Sequence, residues 1–138
     1  MDKIFTLDPR LAADAAHVCD LPLCRVLLMN DARFPWLILV PRLPDLAEIN
    51  DLAASERGTL MEEIATCANI LREVAPSDKI NVGALGNIVR QLHVHVVARV
   101  EGDAAWPGPV WSSGAAKPYD DNWRQGMIDA LRTRLGMD

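Results

Sequence analysis

The sequence lacks the long apolar runs and basic clusters that mark membrane proteins and nucleic-acid-binding proteins. Its longest unbroken apolar stretch, Trp36–Val40, is far shorter than the roughly 20 residues that span a bilayer. Charged residues such as Asp8 and Arg10 interrupt the N-terminal segment, so it has no apolar core of a secretory signal peptide. The 14 basic residues are outnumbered by 19 acidic ones and form no run, which argues against a sequence-independent nucleic-acid binder. We therefore expect a cytoplasmic protein with no membrane or nucleic-acid partner.

Cysteine is also scarce, with three residues in the chain. Cys19 and Cys24 lie farther apart than the C-x-x-C spacing of a tight zinc knuckle, and Cys67 falls within a helical pattern. Buried, reduced thiols of a cytosolic protein explain this set better than a metal site does. We predict no bound metal and no cofactor.

What the sequence does contain is typical of a globular domain. Hydrophobic residues make up 50% and charged residues 24% of the chain, near the average for soluble globular proteins. A length of 138 residues favours one compact domain over two, and we find no internal repeat. We predict a single domain over residues 1–138, with a C-terminal tail and helix over residues 112–138.

The first part of the chain predicts a short helix followed by a hairpin. Asp8 is a favourable N-cap and Pro9 a favourable first helical residue, whereas His17 is expected in a surface helix or loop. Two apolar runs, Cys24–Met29 and Trp36–Val40, flank a short polar turn. This pattern predicts an antiparallel pair of strands.

A longer amphipathic helix follows, with Ser55 as its candidate N-cap and Pro76 just beyond its end. Its apolar residues recur at helical spacing, and they are Leu60, Ile64, Cys67 or Ala68, Leu71 and Val74. Charged residues, Glu63 among them, fall mostly away from that stripe. A closing helix is predicted by a second stripe, formed by Trp123, Met127, Leu131 and Leu135. The pattern predicts an α+β domain with a mainly antiparallel sheet.

The segment Gln91–Arg99 alternates polar and apolar residues, which is typical of a strand with one apolar face. Because side chains alternate along a strand, Gln91, His93 and His95 would form a row on the other face. Three interpretations are open, namely two histidines on a solvated face, a metal site, or nucleophilic catalysis.

A catalytic role for these histidines agrees with the residues around them. A metal site is short of ligands, because His17 is the only other histidine and no acidic residue occurs from 79 to 100. A neutral imidazole is a competent nucleophile toward phosphorus, and a neighbouring imidazole can donate to phosphate oxygens. The turn at Gly83–Asn87 contains glycines that let backbone N–H groups approach an anion.

This part of the chain resembles the histidine triad (HIT) superfamily. The turn Asn81–Asn87 followed by Gln91–Val97 is similar to the family signature, a phosphate loop rich in Asn and Gly before His-φ-His-φ-His-φ-φ, where φ is apolar. The hairpin ending in Val40-Pro41-Arg42, the long helix, and Trp106-Pro107-Gly108 after Arg99 extend the likeness. The resemblance is strongest over residues 20–110.

The resemblance implies a HIT-like α+β fold, a homodimer, and hydrolysis or transfer of nucleoside monophosphate groups without a cofactor. The nucleophile would be His93, which forms a nucleotidyl-histidine intermediate, and His95 would contact the phosphate. Further site residues implied by position are Asn81, Gly86, Asn87 and Ile88 around the phosphate, and Asn30 or Asp31 near the ribose. Asn30 and Asp31 equally suit a plain hairpin turn.

The sequence departs from the family signature at two positions. Gln91 stands where the first triad histidine is expected, and Ile88 stands where several relatives carry a hydroxyl residue. Glutamine exchanges hydrogen bonds but cannot change its charge near neutral pH. Two functions therefore stay open. One is a bacterial-type HIT hydrolase acting on a purine nucleotide or nucleotide conjugate, with Gln91 as the first triad member. The other is a nucleotide-binding module with little or no turnover.

Overall fold

The computed structural model describes residues 3–137, which contain a five-stranded sheet whose neighbouring strands are all antiparallel. Its strands, in the spatial order β1-β2-β3-β5-β4, are β1 (Ala15–Asp20), β2 (Cys24–Met29), β3 (Trp36–Pro41), β4 (Lys79–Gly83) and β5 (Val94–Arg99). The α-helices of the described residues are α1 (Pro9–Asp14), α2 (Ala54–Val74) and α3 (Asp121–Arg134). A short 3-10 turn lies at Ile49–Asp51. This arrangement confirms the predicted α+β fold with a mainly antiparallel sheet.

The sheet begins with a strand that the sequence pattern did not indicate. β1 pairs with β2 across a tight turn, in which the N–H of Leu21 donates to the carbonyl of Cys24 at 2.8 Å. His17 therefore lies on an edge strand, with its ring 3.2 Å from Asp20, rather than in a helix or loop. A bulge between His17 and Cys19 interrupts the alternation of side chains, which is why period-two reasoning missed the strand.

Helix α2 covers the face of the sheet to which Val94, Val96 and Ala98 contribute. Its buried residues are Leu60, Glu63, Ile64, Cys67, Ile70 and Leu71. The burial of Glu63 contradicts its predicted place on the solvent side. Its carboxylate accepts hydrogen bonds from the backbone N–H groups of Leu23 and Cys24, at 3.0 and 2.8 Å, and these bonds compensate for its loss of hydration.

The ends of the helices also differ from the sequence prediction. α2 begins after Ala53 rather than at a Ser55 cap, because the carboxylate of Glu56 accepts the Ala53 N–H at 2.7 Å. In α3, Trp123 is 65% exposed and does not belong to the buried stripe. α3 packs against α2 and β1 through its later turns, where Ile128 and Leu131 are buried.

The opposite face of β5 is covered by the segment that follows it in the chain. Arg99 is buried there, and its guanidinium donates two hydrogen bonds of 2.8 Å to the carboxylate of Asp103. A third bond, of 2.9 Å, runs to the side-chain oxygen of Asn81 on β4. The same guanidinium lies over the rings of Phe34 and Trp106. A single buried cation thus joins β4, β5 and the loop that follows.

The cysteines are buried free thiols, as predicted. Burial raises the pKa of the Cys67 thiol to about 12 and also raises the pKa values of the Cys19 and Cys24 thiols. Thiols with such pKa values carry almost no thiolate at neutral pH, so they act as small apolar residues of the core.

We predict that Arg99→Met destabilises the fold by about 3–5 kcal/mol, because it leaves the Asp103 carboxylate buried without its cation. The free energy of unfolding in urea is the measurement. Adding Asp103→Asn to Arg99→Met should recover part of the loss, since the uncompensated charge is gone. Arg134→Met is the matched control, because Arg134 pairs with Glu73 at the exposed surface, and it should change stability by less than about 1 kcal/mol. Equal losses for the two arginines would contradict the prediction.

Candidate active site

The chain is irregular just before β5, where the sequence pattern had predicted strand. β5 begins one residue after His93, so Gln91 and His93 precede it and the predicted strand start at Gln91 is wrong. Continuing the register of β3 and β5 would place Pro41 opposite Leu92, and proline has no N–H to give to a sheet. The N–H of Leu92 instead donates to the carbonyl of Leu46 at 2.9 Å.

His93 and His95 nevertheless lie side by side, with their ring centroids 4.9 Å apart. Both side chains are largely buried. The ring of His95 lies between those of Trp36 and Trp111, whose centroids are 5.6 and 5.4 Å away. The structure therefore brings together the two histidines that the sequence pattern placed on one face, and it adds two tryptophans to them.

The hydrogen bond of His93 decides where that ring carries its proton. Its Nδ1 lies 2.6 Å from the backbone carbonyl oxygen of Gln91. A carbonyl oxygen only accepts hydrogen bonds, so Nδ1 is the protonated nitrogen and Nε2 of the neutral ring carries the lone pair. The ring is thereby held as a nucleophile or base at Nε2.

His95 stays neutral over a wider pH range than an ordinary histidine. Burial, and after it the neighbouring His93, lowers the pKa of His95 to about 4. Its Nδ1 lies 3.0 Å from Nε1 of Trp36, which donates the hydrogen bond. At pH 7 the pair of rings therefore offers hydrogen-bonding nitrogens without a charge on His95.

A cavity of about 390 Å³ opens beside the two histidines. Six of the predicted site residues line it, and they are Asp31, Gly86, Asn87, Ile88, His93 and His95. Its other walls include Arg33, Trp36, Val110 and Trp111, which sequence reasoning did not assign to the site. Gly86 has a φ of +73°, a conformation that glycine adopts without strain, and it lets the loop turn beside His93.

Three predicted site residues, Asn30, Asn81 and Gln91, do not line this cavity. The side-chain oxygen of Asn81 accepts the hydrogen bond from Arg99, and that of Asn30 accepts the N–H of Tyr119 at 2.9 Å. Each amide oxygen thus ties two segments of the chain together. In this structure they support the walls of the site.

Asp31 does line the cavity, but its carboxylate is already engaged. It accepts hydrogen bonds from Nε and Nη2 of Arg33, at 3.0 and 2.8 Å, and from the N–H of Lys117 at 3.2 Å. Burial raises the pKa of Asp31, but these hydrogen bonds outweigh it and the net shift is downward. A ribose hydroxyl at Asp31 would have to share the carboxylate with Arg33.

Gln91 is turned toward residues 3–8, which we call the N-terminal strap. Its Nε2 donates to the carbonyl of Thr6 at 2.9 Å, and its Oε1 accepts the N–H of Asp8 at 2.8 Å. Beyond the strap, Arg10 donates to the carbonyl of Ile88 at 3.0 Å. Gln91 therefore fastens the strap to the loop that carries His93.

Trp111 reaches His95 because of a glycine on the neighbouring strand. Gly83 is paired with His95, and a Cβ atom on Gly83 would lie 2.8 Å from the Trp111 ring, closer than real contacts allow. The indole thus rests directly on the backbone of β4. The prolines of the segment that carries Trp111 exclude a regular central strand, but its composition does not show which face of the sheet it covers.

Residues 3–137 offer neither a cluster of metal-binding side chains nor a helix suited to crossing a membrane. No cluster of three or more His, Cys, Asp or Glu side chains among them is arranged to hold a metal ion. No helix among them has both the length and the apolar character that crossing a membrane requires.

A comparison of the sequence with models of known protein families identifies the family of this chain. The model of the HIT domain matches residues 10–102, which is more than half of the chain. The chain belongs to the HIT family. Proteins with the HIT fold are generally nucleotide hydrolases or nucleotidyl transferases. None of the curated proteins matches the sequence.

Three of the solved histidine triad proteins match nearly the whole chain. A histidine triad protein from Bradyrhizobium japonicum is 46% identical, with 96% of this chain and 98% of that chain covered and a TM-score of 0.93. A HIT protein from Sinorhizobium meliloti is also 46% identical, with 94% and 96% covered and a TM-score of 0.92. A third, from Marinobacter aquaeolei, is 41% identical, with 97% and 98% covered and a TM-score of 0.94.

We predict that Gln91→Leu loosens the N-terminal strap, because it removes both hydrogen bonds to the strap without removing much volume. Amide hydrogen exchange at Asp8 should accelerate by about tenfold or more, because that factor corresponds to the free energy of one or two hydrogen bonds. Gln91→Glu keeps the acceptor for Asp8 and should have a smaller effect. Gln125→Leu, on the exposed face of α3, is the matched control. Unchanged exchange at Asp8 in Gln91→Leu would contradict the role of Gln91.

A second prediction concerns the titration of His95. Its imidazole signals, followed by NMR, should titrate with a midpoint near about 4, well below the ordinary value of 6.5. The pKa of the folded state is lower than that of the unfolded state, so this histidine's contribution to stability is present above pH 6.5. It is lost as the pH falls toward 4, and it amounts to roughly 3 kcal/mol at most. A midpoint near about 6.5 would show that the ring is not shielded from water.

Proposed function

We propose that this HIT protein is a nucleotide hydrolase or nucleotidyl transferase in which His93 is the nucleophile. The single observation that carries the proposal is the 2.6 Å hydrogen bond from Nδ1 of His93 to the carbonyl of Gln91. It leaves the lone pair of a neutral imidazole on Nε2, beside a cavity with room for a nucleotide. The family membership supplies the substrate class.

The proposed reaction has two steps. In the first, Nε2 of His93 attacks the α-phosphorus, and the bond from phosphorus to a phosphate or amine leaving group breaks. A nucleotidyl-histidine forms, and the leaving group departs with a proton taken from solvent. In the second step, water attacks the same phosphorus and gives up a proton to solvent, the phosphorus–nitrogen bond breaks, and the nucleoside monophosphate is released. In this proposal His95, whose ring lies 4.9 Å from that of His93, donates to a phosphate oxygen or to the leaving atom.

The loop before His93 is the proposed phosphate site. Gly86, Asn87 and Ile88 line the cavity. The side chain of Ile88 has no hydroxyl group, and because it is 84% exposed it packs little there. Backbone N–H groups and the side-chain amide of Asn87 are the donors that these three residues can offer to an anion. The apolar walls at Val110 and Trp111 suit a flat purine ring.

Gln91 has a supporting role in this proposal rather than an acid–base role. Its carbonyl orients His93 and its side chain holds the N-terminal strap. A neutral amide fulfils both tasks without titrating. The departure of this sequence from the three-histidine signature is therefore compatible with turnover.

Three other expectations belong to the proposal and stay predictions. The protein is expected to be a homodimer, to reside in the cytoplasm, and to form a single domain. Analytical ultracentrifugation is the direct measurement of the first. A monomeric protein at micromolar concentration would contradict it.

The test of the proposed function is release of AMP from adenosine 5′-phosphoramidate or from a dinucleoside polyphosphate. We expect turnover by the natural protein and a loss of about a thousandfold or more in His93→Ala, because the nucleophile is removed. His17→Ala is the matched control, since His17 lies on the exposed edge strand β1, and its activity should be unchanged. Undiminished release by His93→Ala would refute the proposal.

Calorimetry with AMP separates the enzyme from the alternative, a nucleotide-binding module. Binding of AMP together with turnover supports the enzyme. Binding without turnover of either substrate supports the module and rejects the hydrolase. Absence of both binding and turnover rejects both functions.

A further inference from the structure

We propose that Trp36 is a positioning residue that fixes the tautomer of His95, so that His95 presents a protonated Nε2 to the substrate. The catalytic part of this inference rests on the proposed function. The structural part does not, because the tautomer can be measured without any substrate.

A hydrogen bond between Trp36 and His95 decides which nitrogen of His95 carries the proton. Nε1 of Trp36 lies 3.0 Å from Nδ1 of His95, and both side chains are buried. An indole N–H only donates, so Nδ1 of His95 must accept and cannot carry the proton. A neutral imidazole carries one proton, and it is therefore on Nε2. Free imidazole samples both tautomers, whereas this bond selects one.

Trp36 is held rigidly enough to impose that choice. It begins β3, where its backbone is paired with Val97 of β5, and Ile38 is paired with His95. Its ring packs edge-on against Phe34, with the centroids 6.4 Å apart. Only 5% of Trp36 is exposed. The donor and the acceptor thus lie on adjacent strands of one sheet, on the same face.

The selected tautomer complements that of His93. The carbonyl of Gln91 places the proton of His93 on Nδ1 and leaves Nε2 as the lone pair. Trp36 does the reverse for His95, so one ring offers a lone pair at Nε2 and its neighbour offers an N–H. A nucleophile and a hydrogen-bond donor to phosphate are thereby assembled from two residues of the same type without a charge on His95.

The second tryptophan against His95 provides an internal comparison. Trp111 packs on the ring at a similar distance, but its Nε1 is buried and has no hydrogen-bond partner among the described residues. Both tryptophans therefore pack on His95, but of the two only Trp36 donates a hydrogen bond to it. Substitutions at the two positions separate these contributions.

The test is long-range ¹H–¹⁵N NMR of the histidine rings in the substrate-free protein at neutral pH, with His95 assigned by the loss of its signals in His95→Gln. We expect an unprotonated Nδ1 and a protonated Nε2 in the natural protein. In Trp36→Phe the two nitrogen shifts should move toward each other, because both tautomers become populated. In Trp111→Phe, which keeps the donor, they should stay apart. Unchanged shifts in Trp36→Phe would overturn the inference.

A second variant guards against loss of folding in Trp36→Phe. Replacing Trp36 alone with benzothienylalanine puts sulfur in place of the N–H and keeps the size of the ring. The same convergence of the nitrogen shifts is expected, with a far-ultraviolet circular dichroism spectrum like that of the natural protein. A protein that folds normally and keeps the natural shifts would count against Trp36.

Kinetics then test the catalytic consequence. With adenosine 5′-phosphoramidate, kcat of the benzothienylalanine protein should fall about tenfold while KM changes by less than about threefold, since a donor for the reaction is lost rather than a binding surface. An unchanged kcat with altered nitrogen shifts would overturn the catalytic part. If the natural protein releases no AMP, the proposed function fails, and the shifts still decide whether Trp36 sets the tautomer.

Discussion

The buried ion pair of Arg99 and Asp103 is the interaction on which the candidate active site depends. β5 is a central strand with every residue buried, so the guanidinium on it needs a complete set of partners. Asp103 and Asn81 provide them, and the carboxylate of Asp103 also accepts the N–H groups of Ala105 and Trp106. The chain therefore folds back over the sheet, and Trp111, farther along the same segment, packs on His95.

The site that results uses two identical side chains for different tasks. The neighbours of each imidazole differ in one respect, since a carbonyl that only accepts faces His93 and an indole that only donates faces His95. Burial keeps His95 neutral. Because His95 does not take up a second proton, its two ring nitrogens keep their separate roles as acceptor and donor. Differences in hydrogen-bonding partners, rather than in residue type, distinguish the proposed nucleophile from the proposed donor.

Much of the fold could be predicted because its signals are local. The strands β2 and β3, most of β5, and helices α2 and α3 follow from the spacing of apolar residues, and the start of α1 follows from the capping chemistry of Asp8 and Pro9. Strand β1 could not be predicted, because its bulge breaks the alternation of side chains. The burial of Glu63 could not be predicted either, because its hydrogen-bond partners are two backbone N–H groups far away along the chain. In the candidate site, the histidines and their glycine loop were recognisable, whereas Trp36 was indistinguishable from any apolar strand residue.

The sequence by itself determined that two histidines stand one residue apart behind a glycine turn, in an α+β chain similar to the HIT family. Those properties depend on residue type and spacing along the chain, which a sequence displays directly. The tertiary structure alone decided that Gln91 fastens the N-terminal strap, that Asn81 and Asn30 support the walls, and that Trp36 bonds to His95. Each of those roles is a hydrogen bond between distant segments, and its donor and acceptor meet only when the sheet has formed.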